Sequence, residues 1–261
     1  ITSKQIFLNG NQADSRIAPQ INNVITVNLD FNEESENIIP TPIPLNIIYE
    51  DEALLILDKP AGIAVHPSIS HYTDSLANGV KYYFDTIGLK RKIRPVNRLD
   101  LNTSGLIVFA KNEYVQECLI QQMQTNEFKK EYLAIVHGIF ENVQGTINLP
   151  IARKENSIIE RCISENGQEA ITHYEVLKTS NDLSLVHCTL QTGRTHQIRV
   201  HMSAIGHPLV GDTLYGSDFS DSITRQALHS YKISFIHPIS HQIFSFTSEL
   251  PDDIKSSIEA I

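Results

Sequence analysis

RPVNRLDLNTSGLIVFAK, residues 94–111, joins two kinds of sequence. Its second half, Gly105 to Ala110, is an uninterrupted apolar run, the pattern of a strand buried on both faces. Its first half carries Arg94 and Arg98, then Asp100, then the turn-forming LNTSG. A carboxylate therefore stands at the entrance to a buried strand. Two readings of Asp100 stay open: a residue that merely turns the chain, or a carboxylate held ready as nucleophile or base. Nearby guanidinium groups favour its charged form.

Outward from this stretch, IIYEDEALLILDKPAGIAVHP reads as strand, turn, strand, Pro/Gly turn, strand. Leu76, Val80, Phe84 and Ile87 recur at helical spacing between Ser75 and Ile87. Val115, Leu119 and Met123 mark a second amphipathic helix over 112–124. KKEYLAIVHG alternates, with Tyr132, Ala134 and Val136 on one face and Leu133 and Ile135 on the other. Residues 170–179 and 183–190 are further strand candidates. Ile198, Met202 and Ile205 suggest a helix after Thr195, SFIHP and QIFSFT a late hairpin, and PDDIKSSIEAI a closing helix. Strands outnumber helices and hairpins dominate, so the expected class is α+β with a mixed, mainly antiparallel sheet.

The 261-residue chain is 41% hydrophobic and bears a formal net charge of −9. Its apolar runs are far shorter than the roughly 20 residues of a membrane span, and no basic-then-apolar leader opens it. Cys118, Cys162 and Cys188 are odd in number and widely spaced, which suits a reducing cytoplasm rather than a disulfide framework. The chain opens on Ile1 rather than methionine, which points to processing or to a start further upstream. Net charge misleads when charges are segregated. Lys90, Arg91, Lys92, Arg94 and Arg98 cluster in GLKRKIRPVNR, whereas Glu33, Glu34, Glu36, Asp252 and Asp253 lie towards the ends.

LQTGRTHQIRVHMSAIGHPLVGD, residues 190–212, is the second chemical constellation. Gly193 can break a strand and Thr195 can cap the helix that follows. Arg194 and Arg199 stand about one and a half helical turns apart, largely on different faces. His196 and His201 lack the three- or four-residue spacing that aligns two metal ligands, so no metal site is expected. Tyr132 is either a packing residue of its strand or a ring suited to a base. The GxxxxGK[ST] and GxGxxG spacings of nucleotide loops do not occur.

Five blocks in order, LDKPAGIAVHP, NRLDLNTSGLIVFAKN, KEYLAIVHG, TGRTHQIRVHMSAIGHPLVGDTLYG and QALHSYKISFIHP, resemble those of the RluA/RluD class of pseudouridine synthases, from about Ile47 to Asp253. The resemblance implies that Asp100 is the catalytic aspartate, that Tyr132 stacks on the target ring, and that Arg199 pairs with Asp100. Arg98 matches an arginine that fills the space left in the RNA by an extruded uridine. The implied fold is a mixed sheet of two subdomains flanking a central RNA-binding cleft. The implied activity is isomerisation of uridine to pseudouridine, redox-neutral and needing no cofactor.

The expected partner is structured RNA, ribosomal RNA ahead of transfer RNA, with no membrane and no obligate protein partner evident. Lys90, Arg91, Lys92, Arg94, Arg98 and Arg194 are the expected RNA contacts. Asn97 stands where the family usually has histidine; its amide can still hydrogen-bond, so the local structure should survive without a titratable group. QIFLNGNQADSRIAPQINNVITVNLD resembles the strand-rich half of an S4-type RNA-binding module. The expected organisation is thus a partial S4-like segment over 1–39, a Pro-rich linker over 40–46, and a catalytic domain over 47–261. A catalytically silent RNA-binding protein and a metal-dependent hydrolase remain as rival readings.

Overall fold

In the structure, a computed structural model that describes residues 5–14, 16–33, 37–180, 182–216 and 223–259, the N-terminal residues pair among themselves. β1 (Ile6–Leu8) lies between β2 (Asn11–Gln12) and β3 (Ile25–Val27), antiparallel to both. Asn9 and Gly10, both at positive φ, make the first turn, as the Asn-Gly pair predicts. The proline-rich residues 40–44 form no regular element but are docked: Thr41 N–H donates to Asn78 O (3.2 Å) and Asn78 Nδ2 to Ile39 O (2.8 Å). Glu34 and Glu36 lie outside the described residues.

The remaining elements are β4 (Ile47–Glu50), β5 (Leu54–Lys59), α1 (Leu76–Thr86), β6 (Arg94–Pro95), β7 (Ser104–Ala110) and α2 (Glu113–Gln124). They continue with β8 (Lys129–His137), β9 (Gln144–Asn148), β10 (Ile151–Arg153), β11 (Arg161–Ile163), β12 (Ile171–Ser180) and β13 (Leu183–Leu190). α3 (Gln197–Ala204), β14 (Leu228–Ile236), β15 (Ile243–Thr247) and α4 (Asp252–Glu259) complete the chain. Ten strands share one sheet, ordered β4-β5-β7-β14-β8-β13-β12-β9, with β15 on β14 and β6 on β7. Every pairing in it is antiparallel except β7 with β14. The expected mixed, mainly antiparallel α+β fold is what forms.

The apolar runs are continuous because both faces of the sheet are covered. Leu55, Leu57, Ile107, Phe109, Tyr132, Ala134 and Val136 pack on one face with Val80 and Phe84 of α1 and Ile198 and Met202 of α3. Leu54, Ile56, Leu106 and Val108 pack on the other with Val115 and Leu119 of α2. Asn112 starts α2 by accepting a hydrogen bond from Val115 N–H at 2.9 Å.

One expected strand is missing. Residues 63–67 do not join the sheet, because their carbonyls are used elsewhere: Ala64 O accepts from Leu76 N–H (2.8 Å) and Val65 O from Ala77 N–H (3.0 Å). The segment thus satisfies the open N-terminus of α1 instead of a strand edge.

The parallel β7–β14 contact joins the two halves of the sheet, and Gly105 makes it fit. Its φ is +108°, and a Cβ there would lie 2.3 Å from Ser230 O and 2.7 Å from Ser230 N. Both the backbone conformation and the opposing main chain demand glycine. Gly105→Ala is therefore expected to destabilise the protein by about 3 kcal/mol or more. Chemical denaturation of the purified variant checks this, and a change under about 1 kcal/mol would show that the contact tolerates a side chain.

Candidate active site

The turn after Asp100 is held from inside. Thr103 N–H donates to Asp100 O (3.1 Å), and Gly62 N–H donates to Leu101 O (3.0 Å). Lys59, wholly buried at the end of β5, donates through Nζ to Leu101 O, Pro60 O and Ile63 O, each at 2.9 Å. Burial pulls its ammonium down to about 7, against the opposing attraction of Asp100. On the other side of the turn Asn97, also buried, donates to Leu106 O (3.2 Å) and accepts from Val108 N–H (2.9 Å). Asparagine thus stitches the Asp100 loop to β7 with no titratable group, as expected.

Across the cleft, α3 presents Arg199. Its Nη1 donates to Asp100 Oδ2 at 3.0 Å, while Nε and Nη2 grip Asp212 Oδ2 and Oδ1 at 2.7 and 2.8 Å. The Arg199 guanidinium also sits 5.0 Å from the Tyr215 ring centroid. Burial opposes its charge, but the hydrogen bonds and charges of Asp212 and Asp100 outweigh that and raise its pKa. Asp212 is fixed in turn by Leu214 N–H (3.0 Å) and Tyr215 N–H (3.2 Å).

The helix starts one residue later than Thr195 suggests. Its N-cap is His196, in the left-handed conformation at φ +58°. His196 Nδ1 lies 2.8 Å from the Tyr215 hydroxyl, and Nε2 lies 3.8 Å from Asp100 Oδ2.

Asp100, Tyr132 and Arg199 line one cleft of 970 Å³, together with Arg98 and Arg194. Tyr132 is buried, and burial, followed by the charge of Asp100, pushes its phenol pKa up. Arg98 is exposed at the rim, with Nη2 3.4 Å from Thr195 Oγ1; Arg194 is exposed and anchored by Nε to Glu169 O (2.8 Å).

The predicted basic patch divides. Lys90 and Lys92 are exposed but outside the cleft. Arg91 and Arg94 are not on the surface at all: Arg91 bonds Asp30 and Phe31 O, and Arg94 grips Glu33 through two bonds of 2.7 and 2.5 Å. Acidic residues of the N-terminal segment neutralise these two cations, which fasten that segment to the rest of the chain.

Several site residues escaped the sequence. Asp212, Lys59 and Tyr215 sit inside blocks whose pattern was visible, yet a lone acid, lysine or tyrosine in a turn carries no pairing signal. His196, read from spacing alone, raises only the question of a metal ligand. Among the described residues no group of three His, Cys, Asp or Glu converges to hold a metal ion.

The chain as a whole is similar to known RNA-modifying proteins. The RNA pseudouridylate synthase family matches it over residues 53–204. RNA pseudouridine synthase YjbO of Bacillus subtilis is 39% identical over 97% of this chain and 89% of its own. Ribosomal large subunit pseudouridine synthase D of Nitrosomonas europaea is 41% identical over 84% of this chain and 66% of its own. Human RNA pseudouridylate synthase domain containing 1 superposes with a TM-score of 0.65 at 25% identity, over 83% of this chain and 94% of that one. With the family match spanning more than half its length and relatives this similar along nearly all of it, the chain belongs to the RNA pseudouridine synthases, isomerases of the RluA/RluD class.

Proposed function

We propose that this synthase converts specific uridines of large-subunit ribosomal RNA to pseudouridine, with Asp100 as the reacting carboxylate. The observation that carries the chemical part is the Asp100–Arg199–Asp212 chain at the foot of the cleft. One carboxylate is aimed into the cleft by a guanidinium that is itself immobilised by a second, buried carboxylate. Preorganisation of this kind lets a charged group meet the reacting atom without rearrangement.

In the proposed sequence of events the target uridine leaves its stack, at a cost of a few kcal/mol, and enters the cleft. Tyr132 stacks on the base and Asp100 faces the ribose. The N1–C1′ bond breaks, the uracil turns, and C5 bonds to C1′; C5 loses its proton and N1 gains one. Arg98 sits at the rim, suited to the gap left by the extruded nucleotide. The ribosomal assignment is supported by the relatives named for the large ribosomal subunit, and it would place the enzyme in the cytoplasm.

Asp100→Asn keeps the shape and removes the charge, so turnover is expected to fall by at least about a thousandfold while RNA binding persists. Quantifying pseudouridine in RNA incubated with the variant measures this; retained activity would leave the protein without its proposed carboxylate. Arg199→Lys gives up the planar fork that spans two carboxylates, and about a hundredfold loss in kcat is expected. Steady-state kinetics at matched protein folding would reveal it, and wild-type turnover would remove Arg199 from the mechanism. Mapping pseudouridines in a strain lacking the gene is expected to show loss at one or a few large-subunit positions. Loss confined to transfer RNA would reassign the substrate.

A further inference from the structure

Lys130 is a buried cation without a partner. The residue is 7% exposed, and among the described residues its ammonium, which opens on the cleft, makes no hydrogen bond or ion pair. Yet the residue lines the cleft, and a Cβ placed on Gly193 would lie 3.1 Å from Nζ. Burying an uncompensated ammonium is costly. The charge of Arg194 adds to that cost: burial first, and then the cationic Arg194, lower the Lys130 pKa. An anion held by both would offset the burial and counter the repulsion.

Arg194 is poised for that role. Its backbone N–H donates to Gln197 Oε1 (2.9 Å) and its Nε to Glu169 O (2.8 Å), which fixes the guanidinium while leaving its outer edge exposed. Lys130 is two residues before Tyr132 on β8, so the two side chains share a face about 7 Å apart. That separation suits one nucleotide step between a stacked base and a neighbouring phosphate.

We propose that Lys130 and Arg194 form a subsite for the RNA phosphodiester adjoining the uridine that stacks on Tyr132. The proposal rests on the reading of the cleft as the uridine site. It explains why a lysine is buried beside an arginine: the compensating charge arrives with the substrate.

The test is binding of a decameric oligouridylate across a salt series, for the wild type and for Lys130→Met, Lys130→Arg and Arg194→Gln. Each lost phosphate contact is expected to weaken binding about fivefold near 0.1 M salt and to reduce the log–log salt slope by about 0.7. Lys130→Arg is expected to restore both. A merely structural lysine would leave the slope untouched, so an unchanged slope in Lys130→Met or Arg194→Gln overturns the proposal, as would a wild type that does not bind. Pseudouridine formation is assayed separately with wild-type protein on total ribosomal RNA, so failure of the underlying reading appears as absent product rather than as an altered slope.

Discussion

One guanidinium between two carboxylates organises this molecule's chemistry. Arg199 comes from α3, Asp100 from the loop before β7, and Asp212 from the turn beyond α3. A buried arginine is tolerated only if its desolvation is offset by well-placed partners. The bidentate grip of Asp212, with its own backbone N–H donors, supplies the larger part of that offset and Asp100 the rest. The remaining Nη1 is then free to fix Asp100, the more exposed of the two carboxylates. One acid is sealed against the guanidinium, and the other, which the proposed reaction uses, stays open to the cleft.

Such a pairing needs two elements remote in sequence to be held at fixed separation, and the sheet does that. Asp100 hangs from β7, whose face-to-face neighbours bury it completely, and Lys59 and Asn97 tie the loop on either side. Tyr132 belongs to β8, which reaches β7 only through β14. Among the described residues the parallel contact between β7 and β14, with Gly105 pressed against the Ser230 main chain, is therefore the link between the strand that follows Asp100 and the strand that carries Tyr132. Glycine in this motif is a spacing device as much as a turn residue.

Elements that signal by periodicity were legible in the sequence: α1, α2, the two opposite faces of β8, and the β14–β15 hairpin all lie where the apolar pattern puts them. Asp100, Tyr132 and Arg199, which the fold brings to one cleft, could be proposed from sequence because each sits in an ordered block with a family resemblance. What periodicity could not convey was the use of backbone groups. Residues 63–67 have a strand's composition but serve the start of α1, and His196 rather than Thr195 takes the cap in a left-handed conformation. Asp212 went unread for the same reason, since its importance lies in a fork it accepts from another element. Short β6, β10 and β11 carry too few residues for any alternation to show.

Charge is the instructive case. A run of Lys90, Arg91, Lys92, Arg94 and Arg98 looks like a phosphate-binding patch, yet the folded chain spends Arg91 and Arg94 on Asp30 and Glu33. Those ion pairs contribute to fastening the N-terminal segment and leave only Lys90, Lys92 and Arg98 of the stretch exposed. Lys130 makes the opposite point: flanked by Lys129 and Glu131 in an ordinary strand, it reads as unremarkable, and its neighbourhood alone gives it an unmet charge. In a protein of net charge −9, what matters for a polyanion is which cations folding leaves uncompensated and where they face. By that criterion the proposed RNA subsite lies in the cleft, where Lys130 shares a strand with Tyr132, rather than on the basic stretch.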